Sequence, residues 1–383
     1  MSDVVVIGAG ITGLSSAYEL ARRGLAVTIL EARRVGAMGS GWTLGGVRQS
    51  GRHLAELPLA QAAVARWSGL EAELGAPTGY ARGGNLRFAR TPDEVEAIRR
   101  LVEEQSARGL DVSFLPDLDA VRAIAPAIGP QVLAASFCPT DGAAEPDMAC
   151  AAYAAAARRA GATLREGATA TAIVERGGRV VGVATEHGGA ISCSRAVIAC
   201  GLDAPRLLEP FGVELPLTAK RVCVLRTAPG PALFDQVFGV ANADCAGRQE
   251  LSGRLRVTTG IGDWQGDPAR WTRESLAPSV AETVALIERV SALLPALGGF
   301  AFDQVWGGLI DMTPDGLPTI DAVGPQGLVV AAGFSGHGFG IGPAVGTIVR
   351  DLALGEAPEF DLVPFRAGRF PAEGPQASLE LHG

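Results

Sequence analysis

The sequence predicts an α/β fold in which a parallel-sheet domain carries a second, mixed-sheet domain inserted into it. Three observations lead there. An uninterrupted apolar run, Val4-Val5-Val6-Ile7, passes through a glycine-rich turn into a helical stripe and a second apolar run within the first thirty residues, the pattern of a βαβ unit buried on both faces. A second strand, glycine-rich turn and helix recur at 327–354. Between them lie short segments punctuated by Gly177-Gly178 and Gly188-Gly189, the mark of hairpins.

Taken in order, Gly8 ends the first strand, and Leu14, Ala17, Tyr18 and Ala21 space a helix over 12–23 before Gly24 and a strand at 26–30. A glycine-rich loop fills 35–51. Helices are predicted at 57–74 and 92–109, the second opened by Thr91-Pro92-Asp93-Glu94, with a strand pair between them at 80–90. An alanine-rich helix at 150–160 precedes strands at 168–174, 179–185, 190–193 and 196–199. Strands at 221–227 and 255–260 and a helix at 278–294 follow. The interleaving predicts one domain assembled from 1–79, 147–216 and 301–370, a second from 80–146 and 217–300, and a loose tail at 371–383.

With 383 residues the chain exceeds one comfortable core. A net charge of -8 argues against nucleic acid, because phosphates require a basic surface. Cys138, Cys150, Cys193, Cys200, Cys223 and Cys245 form no CxxC pair and read as buried free thiols of a reducing compartment. No cleavable apolar leader and no run of 18 uncharged apolar residues is present. The expectation is a cytoplasmic protein without a transmembrane segment.

Gly8-Ala9-Gly10-Ile11-Thr12-Gly13 fits G-x-G-x-x-G between strand and helix. Gly8 allows the tight turn, Gly10 the approach of a pyrophosphate, and Gly13 close helix–strand packing; the phosphates then sit on the helix N-terminus. Glu31, eighteen residues beyond Gly13, can accept from both ribose hydroxyls. A dinucleotide site is therefore expected, and three further stretches favour FAD over NAD: the small-residue loop after the second strand, the strand ending in Cys200-Gly201, and Gly333-Phe334-Ser335-Gly336-His337-Gly338 opening a helix toward a flavin. The expected cofactor contacts are Gly8, Gly10, Ile11, Thr12, Gly13, Glu31, Ala32, Arg33, Gly39, Ser40, Gly45, Gly46, Thr171, Ala172, Cys200, Gly201, Gly308, Gly336, His337, Gly338, Phe339 and Gly340.

Together with Trp306-Gly307-Gly308-Leu309-Ile310-Asp311-Met312-Thr313-Pro314-Asp315-Gly316-Leu317-Pro318, these motifs resemble the D-amino acid oxidase superfamily over essentially the whole chain, especially the branch of glycine oxidase, sarcosine oxidase and related dehydrogenase subunits. The resemblance implies a Rossmann-like FAD-binding domain with an inserted mixed-sheet substrate domain. It also implies oxidation of the C–N bond of a small amino acid or N-alkyl amino acid to an imine, with hydride passing to flavin N5. Catalysis there is mainly positioning and electrostatics.

Three departures qualify what the resemblance implies. The arginine that clamps the carboxylate in glycine oxidase and D-amino acid oxidase is replaced by Ile310. Sarcosine oxidases instead use an arginine, matched by Arg48, and a lysine, replaced here by Gly340. Arg48 is thus the candidate carboxylate anchor, its alternative being a phosphate or surface role. The cysteine that binds flavin covalently in monomeric sarcosine oxidases is replaced by Gly308, which implies noncovalent FAD. The lysine that promotes oxygen reduction has Arg256 as its nearest counterpart, since Lys220 lies too early in the chain. Oxygen, a quinone or a partner subunit are all admissible acceptors.

His337 is a candidate for substrate or flavin contact, against a local backbone role. His53 lines the entrance or the surface, and Trp264 and Trp306 either wall the cavity or fill the core. The main alternatives are the flavin subunit of a hetero-oligomeric proline- or opine-type dehydrogenase and a non-catalytic flavin-binding protein. An NAD(P)H-dependent flavin hydroxylase fits the fingerprint alone.

Overall fold

The computed structural model describes residues 2–268 and 270–370; the tail expected at 371–383 lies outside them. A six-stranded sheet runs in the order Thr319–Ala322, Leu328–Ala332, Arg195–Ile198, Val4–Ile7, Val27–Glu31, Thr163–Glu166. All its pairings are parallel except the first. Side chains alternate across a strand, and Val4–Ile7 obeys this: Val4 and Val6 enter the core beneath the helices Ile11–Arg22, Pro146–Arg159 and Gly338–Leu354, while Val5 and Ile7 face the opposite core. A three-stranded antiparallel sheet, Ala170–Arg176, Arg179–Thr185 and Gly189–Ser192, closes that second side. Its hairpins turn at Gly177-Gly178 and Gly188-Gly189, all with positive φ.

The helices Ile11–Arg22 and Gly338–Leu354 cross closely. Ser15 Oγ donates to the Gly342 carbonyl at 2.8 Å, and a Cβ on Gly346 would lie 2.8 Å from the Ser15 carbonyl carbon. Small residues at the crossing bring the backbones together.

The second sheet has nine strands. Its core gathers Phe88, Phe238, Leu225, Val257 and Leu286. Helix Leu57–Leu74 forms as expected, and helix Pro92–Ser106 opens on a Thr91 side chain accepting from the Glu94 N–H. The strand pair expected at 80–90 is one strand, Asn85–Ala89. Gly84 turns the chain there with φ +89°, and a Cβ on Gly83 would meet the Asp235 carbonyl oxygen at 2.0 Å, so the preceding stretch cannot pair regularly. Strand Phe302–Met312, expected with the first domain, instead pairs with Thr218–Thr227 in the nine-stranded sheet. Its motif residues are therefore delivered by the second sheet. Strands Ser113–Leu115, Ala134–Cys138, Val237–Val240 and Cys245–Gln249 were not anticipated, being short and lacking a clear apolar alternation.

Candidate active site

One cavity of about 1760 Å³ runs from the fingerprint to the nine-stranded sheet. At its first end Gly8 has φ +105°, and a Cβ there would lie 2.4 Å from the Ala199 carbonyl oxygen; a Cβ on Gly13 would lie 2.0 Å from the Gly8 carbonyl oxygen. Only glycine fits either place. Gly10 precedes the helix without a side-chain cap, and Ser40 Oγ accepts from the Ile11 N–H at 2.9 Å. The helix N-terminus is thus directed at the cavity. Glu31 accepts from the Ala9 and Arg33 N–H groups, both at 2.8 Å. Burial pushes its carboxyl above the usual range, and each oxygen keeps acceptor capacity for a ribose hydroxyl.

Further along, Gly308, Ile310 and Asp311 of the motif strand face Gly336, His337 and Gly338. A Cβ on Gly336 would lie 3.6 Å from Ile310 Cδ1. Ser335 holds φ +51°, braced by its hydroxyl against Thr313 at 3.1 Å, and so aims the helix that starts at Gly338. Asp311 accepts from the Gly333 N–H at 2.8 Å; burial pushes its carboxyl up to about 6.

At the far end Arg48 and Arg52 line the cavity beside His337. The loop carrying them is pinned from behind. Buried Asp141 accepts from the Gln49 N–H at 2.8 Å, the Ser50 N–H at 3.2 Å and the Ser50 hydroxyl. Gln105 accepts from the Gly51 N–H at 3.1 Å and donates to the Arg52 carbonyl at 3.3 Å. Arg87, buried on Asn85–Ala89, comes within 2.7 Å of where a Gly51 Cβ would sit. Burial and the charges of Arg52 and Arg87 lower Arg48 to about 9, and burial and Arg52 lower Arg87 to about 10. His337 Nδ1 lies 3.5 Å from Glu56 Oε2. Burial and neighbouring Arg52 push the imidazole below its usual value, so it is neutral at neutral pH.

Most expected residues gather here. Gly8, Gly10, Ile11, Thr12, Glu31, Ala32, Arg33, Gly39, Ser40, Gly46, Cys200, Gly201, Gly308, Gly336, His337, Gly338, Phe339, Arg48 and His53 all line the cavity. Gly13 and Gly45 instead allow backbones to pack, Gly45 with φ +76° against the Ala144 carbonyl. Gly340 likewise packs on the Gly46 carbonyl, while its own carbonyl accepts from Trp67 Nε1 at 2.7 Å. Ala168, Thr169 and Ala170 line the cavity where Thr171 and Ala172 were expected.

Arg256 lies outside the lining. It pairs with Glu250 at 2.6 Å and donates to the Thr43 carbonyl at 2.9 Å, which fixes the loop rather than meeting a substrate. Trp306 stacks beneath that guanidinium. Trp42 and Trp271, not Trp264 or Trp306, reach the cavity. Sequence reasoning missed Arg52, Glu56, Arg87 and Asp141. The spacing of Arg48, Arg52 and Glu56 at four residues was the available signal, whereas Arg87 and Asp141 come from distant strands and turns.

Glycine oxidase of Geobacillus kaustophilus is 31% identical over 96% of this chain and 97% of its own. The crystal structure of glycine oxidase from that organism superposes with a TM-score of 0.88 at 25% identity, covering 97% of this chain and 99% of that one. Sarcosine oxidase subunit beta of Rhizobium meliloti is 26% identical over 96% of this chain and 88% of its own. A 4-methylaminobutanoate oxidase (formaldehyde-forming) of Paenarthrobacter nicotinovorans is 27% identical over 96% of this chain, which spans only 45% of that protein's length. FAD is the dinucleotide that the glycine cradle, Glu31 and the two helix N-termini fit. The family model described as FAD dependent oxidoreductase (DAO) matches residues 3–352, and to that family the chain belongs.

Proposed function

We propose that this flavoenzyme oxidises the C–N bond of a small amino acid or N-alkyl amino acid, with the substrate carboxylate held by Arg48 and Arg52. The observation that carries the reading is the cluster at the cavity's end, where three arginines stand against the two carboxylates Glu56 and Asp141. Burial first, and then the charges of Arg52 and Arg87, lower Arg48, and an incoming carboxylate offsets both. Bound FAD supplies the two-electron acceptor for the amine's α C–H. Arg48 and Arg52 orient the substrate by its carboxylate, on a loop already held rigid by Asp141 and Gln105. Neutral His337 offers a hydrogen bond beside them without adding charge.

Noncovalent attachment is supported by Gly308 at the position of the attachment cysteine, and by Cys223 and Cys245 on the cavity wall, where burial pushes the thiols up to about 11 and about 12. Such thiols are poor nucleophiles. The cysteines of the described residues are free, and on that ground we place the chain in the cytoplasm. Among the described residues no helix is long and apolar enough to cross a membrane.

A second reading, a flavin subunit whose electrons leave through another chain, is favoured by the engagement of Arg256 with Glu250 and Thr43, away from the cavity. The test is anaerobic bleaching of the flavin by amino acids, N-methyl amino acids and plain amines. Bleaching by carboxylate-bearing amines is expected, and equally fast bleaching by plain amines overturns the carboxylate reading.

A further inference from the structure

Lys220 is the one lysine of the chain, and the fold places it on the cavity wall. In the antiparallel pair of Thr218–Thr227 with Phe302–Met312, Lys220 stands opposite Ile310 and Val222 opposite Gly308. Directly opposed residues share a face of the sheet. That face is the cavity face: Val222 Cγ2 lies 3.5 Å from where a Gly308 Cβ would sit, and Ile310 Cδ1 approaches Gly336. On its other side Lys220 pairs with Asp263, which belongs to the two-residue strand Gly262–Asp263 and also lines the cavity. Lys220 is 29% exposed and Asp263 76%. An exposed carboxylate holding a half-buried ammonium is a weak counterion, because solvent and chain entropy cancel most of the attraction.

We propose that Lys220 binds a second anionic group of the substrate, taking it in exchange for Asp263, so that the preferred substrate is an amino dicarboxylate. The proposal rests on the reading of Arg48 and Arg52 as the anchor of the first carboxylate. One carboxylate satisfies that cluster, whose three arginines already face two acids. Ile310 and Val222 put apolar side chains on the cavity wall, and Lys220, opposite Ile310 on the paired strands, is a cation of that wall able to meet a second charge.

The test uses the FAD-loaded protein and unreactive acids, read as perturbation of the flavin absorbance: butyrate for one carboxylate, and succinate, glutarate and adipate for two. At least one diacid is expected to bind about tenfold or more tightly than butyrate, the worth of a charge-assisted hydrogen bond. In Lys220→Met that ratio falls toward one; in Lys220→Arg it is retained; in Asp263→Asn it rises. Equal binding of butyrate and every diacid, or the same ratio in Lys220→Met, overturns the proposal. Failure of the underlying reading is separately visible, as butyrate binding that Arg48→Ala does not weaken.

Discussion

Arg48 sits where burial and like charge both work against its guanidinium. Asp141 and Glu56 act in its favour, and a substrate carboxylate would add a further counter-charge. Arg48→Ala is therefore expected to raise KM for the amino acid substrate by about ten- to a hundredfold, as loss of a charged hydrogen bond implies. Activity should recover at high substrate, which steady-state kinetics checks. Asp311 titrates in the opposite sense. Its folded carboxyl is raised from 3.8 to about 6, so its contribution to stability is complete below pH 3.8 and is lost as pH rises through about 6. The loss is at most about 3 kcal/mol. Asp311→Asn, which keeps an acceptor for the Gly333 N–H, should lose less stability than wild type between pH 4 and pH 7, as urea midpoints across that range would show.

Among elements, the crossing of Ile11–Arg22 and Gly338–Leu354 sets two opposed effects against each other. Gly346→Ala favours the helix by about 1 kcal/mol. The new methyl, however, meets the Ser15 backbone carbonyl carbon at 2.8 Å, and overpacking costs about 1–3 kcal/mol. Net destabilisation is expected, with a lower melting temperature, because a backbone atom cannot swing aside as a side chain would. The same scale shows what was readable in advance. The fingerprint and the helix after Gly336 were legible because each is local: strand, glycine turn and helix follow in one continuous stretch. Strand Phe302–Met312 was misassigned to the first domain because its pairing with Thr218–Thr227 joins segments about eighty residues apart, and nothing in either segment states which sheet will receive it.

For the whole molecule, the cavity is lined by residues of both large sheets, so a cofactor bound there would touch both. Arg248 strengthens that link by a two-point pair with Glu145, at 3.0 and 2.8 Å, and a bond to the Leu44 carbonyl. Saturation with FAD at a hundredfold its dissociation constant should stabilise the fold by about 2.7 kcal/mol, and calorimetry of flavin-free and reloaded protein measures it. Electron transfer belongs to this scale too. With Arg256 engaged by Glu250 and Thr43, turnover is expected to rise on adding an artificial dye acceptor. Oxygen consumption at a rate that dye leaves unchanged would exclude that expectation.

By itself the sequence pointed to the dinucleotide site, because Gly8, Gly10 and Gly13 act through backbone geometry and the Glu31 carboxylate through nearby backbone N–H groups, all within one βαβ unit. It also singled out Arg48 and His337. Only the tertiary structure decided their company. Arg87 and Asp141 come from a strand and a turn remote in the chain, and Lys220 meets Ile310 through register alone. Charge acts through space, and the distances that govern it exist only once the sheets have closed around the cavity.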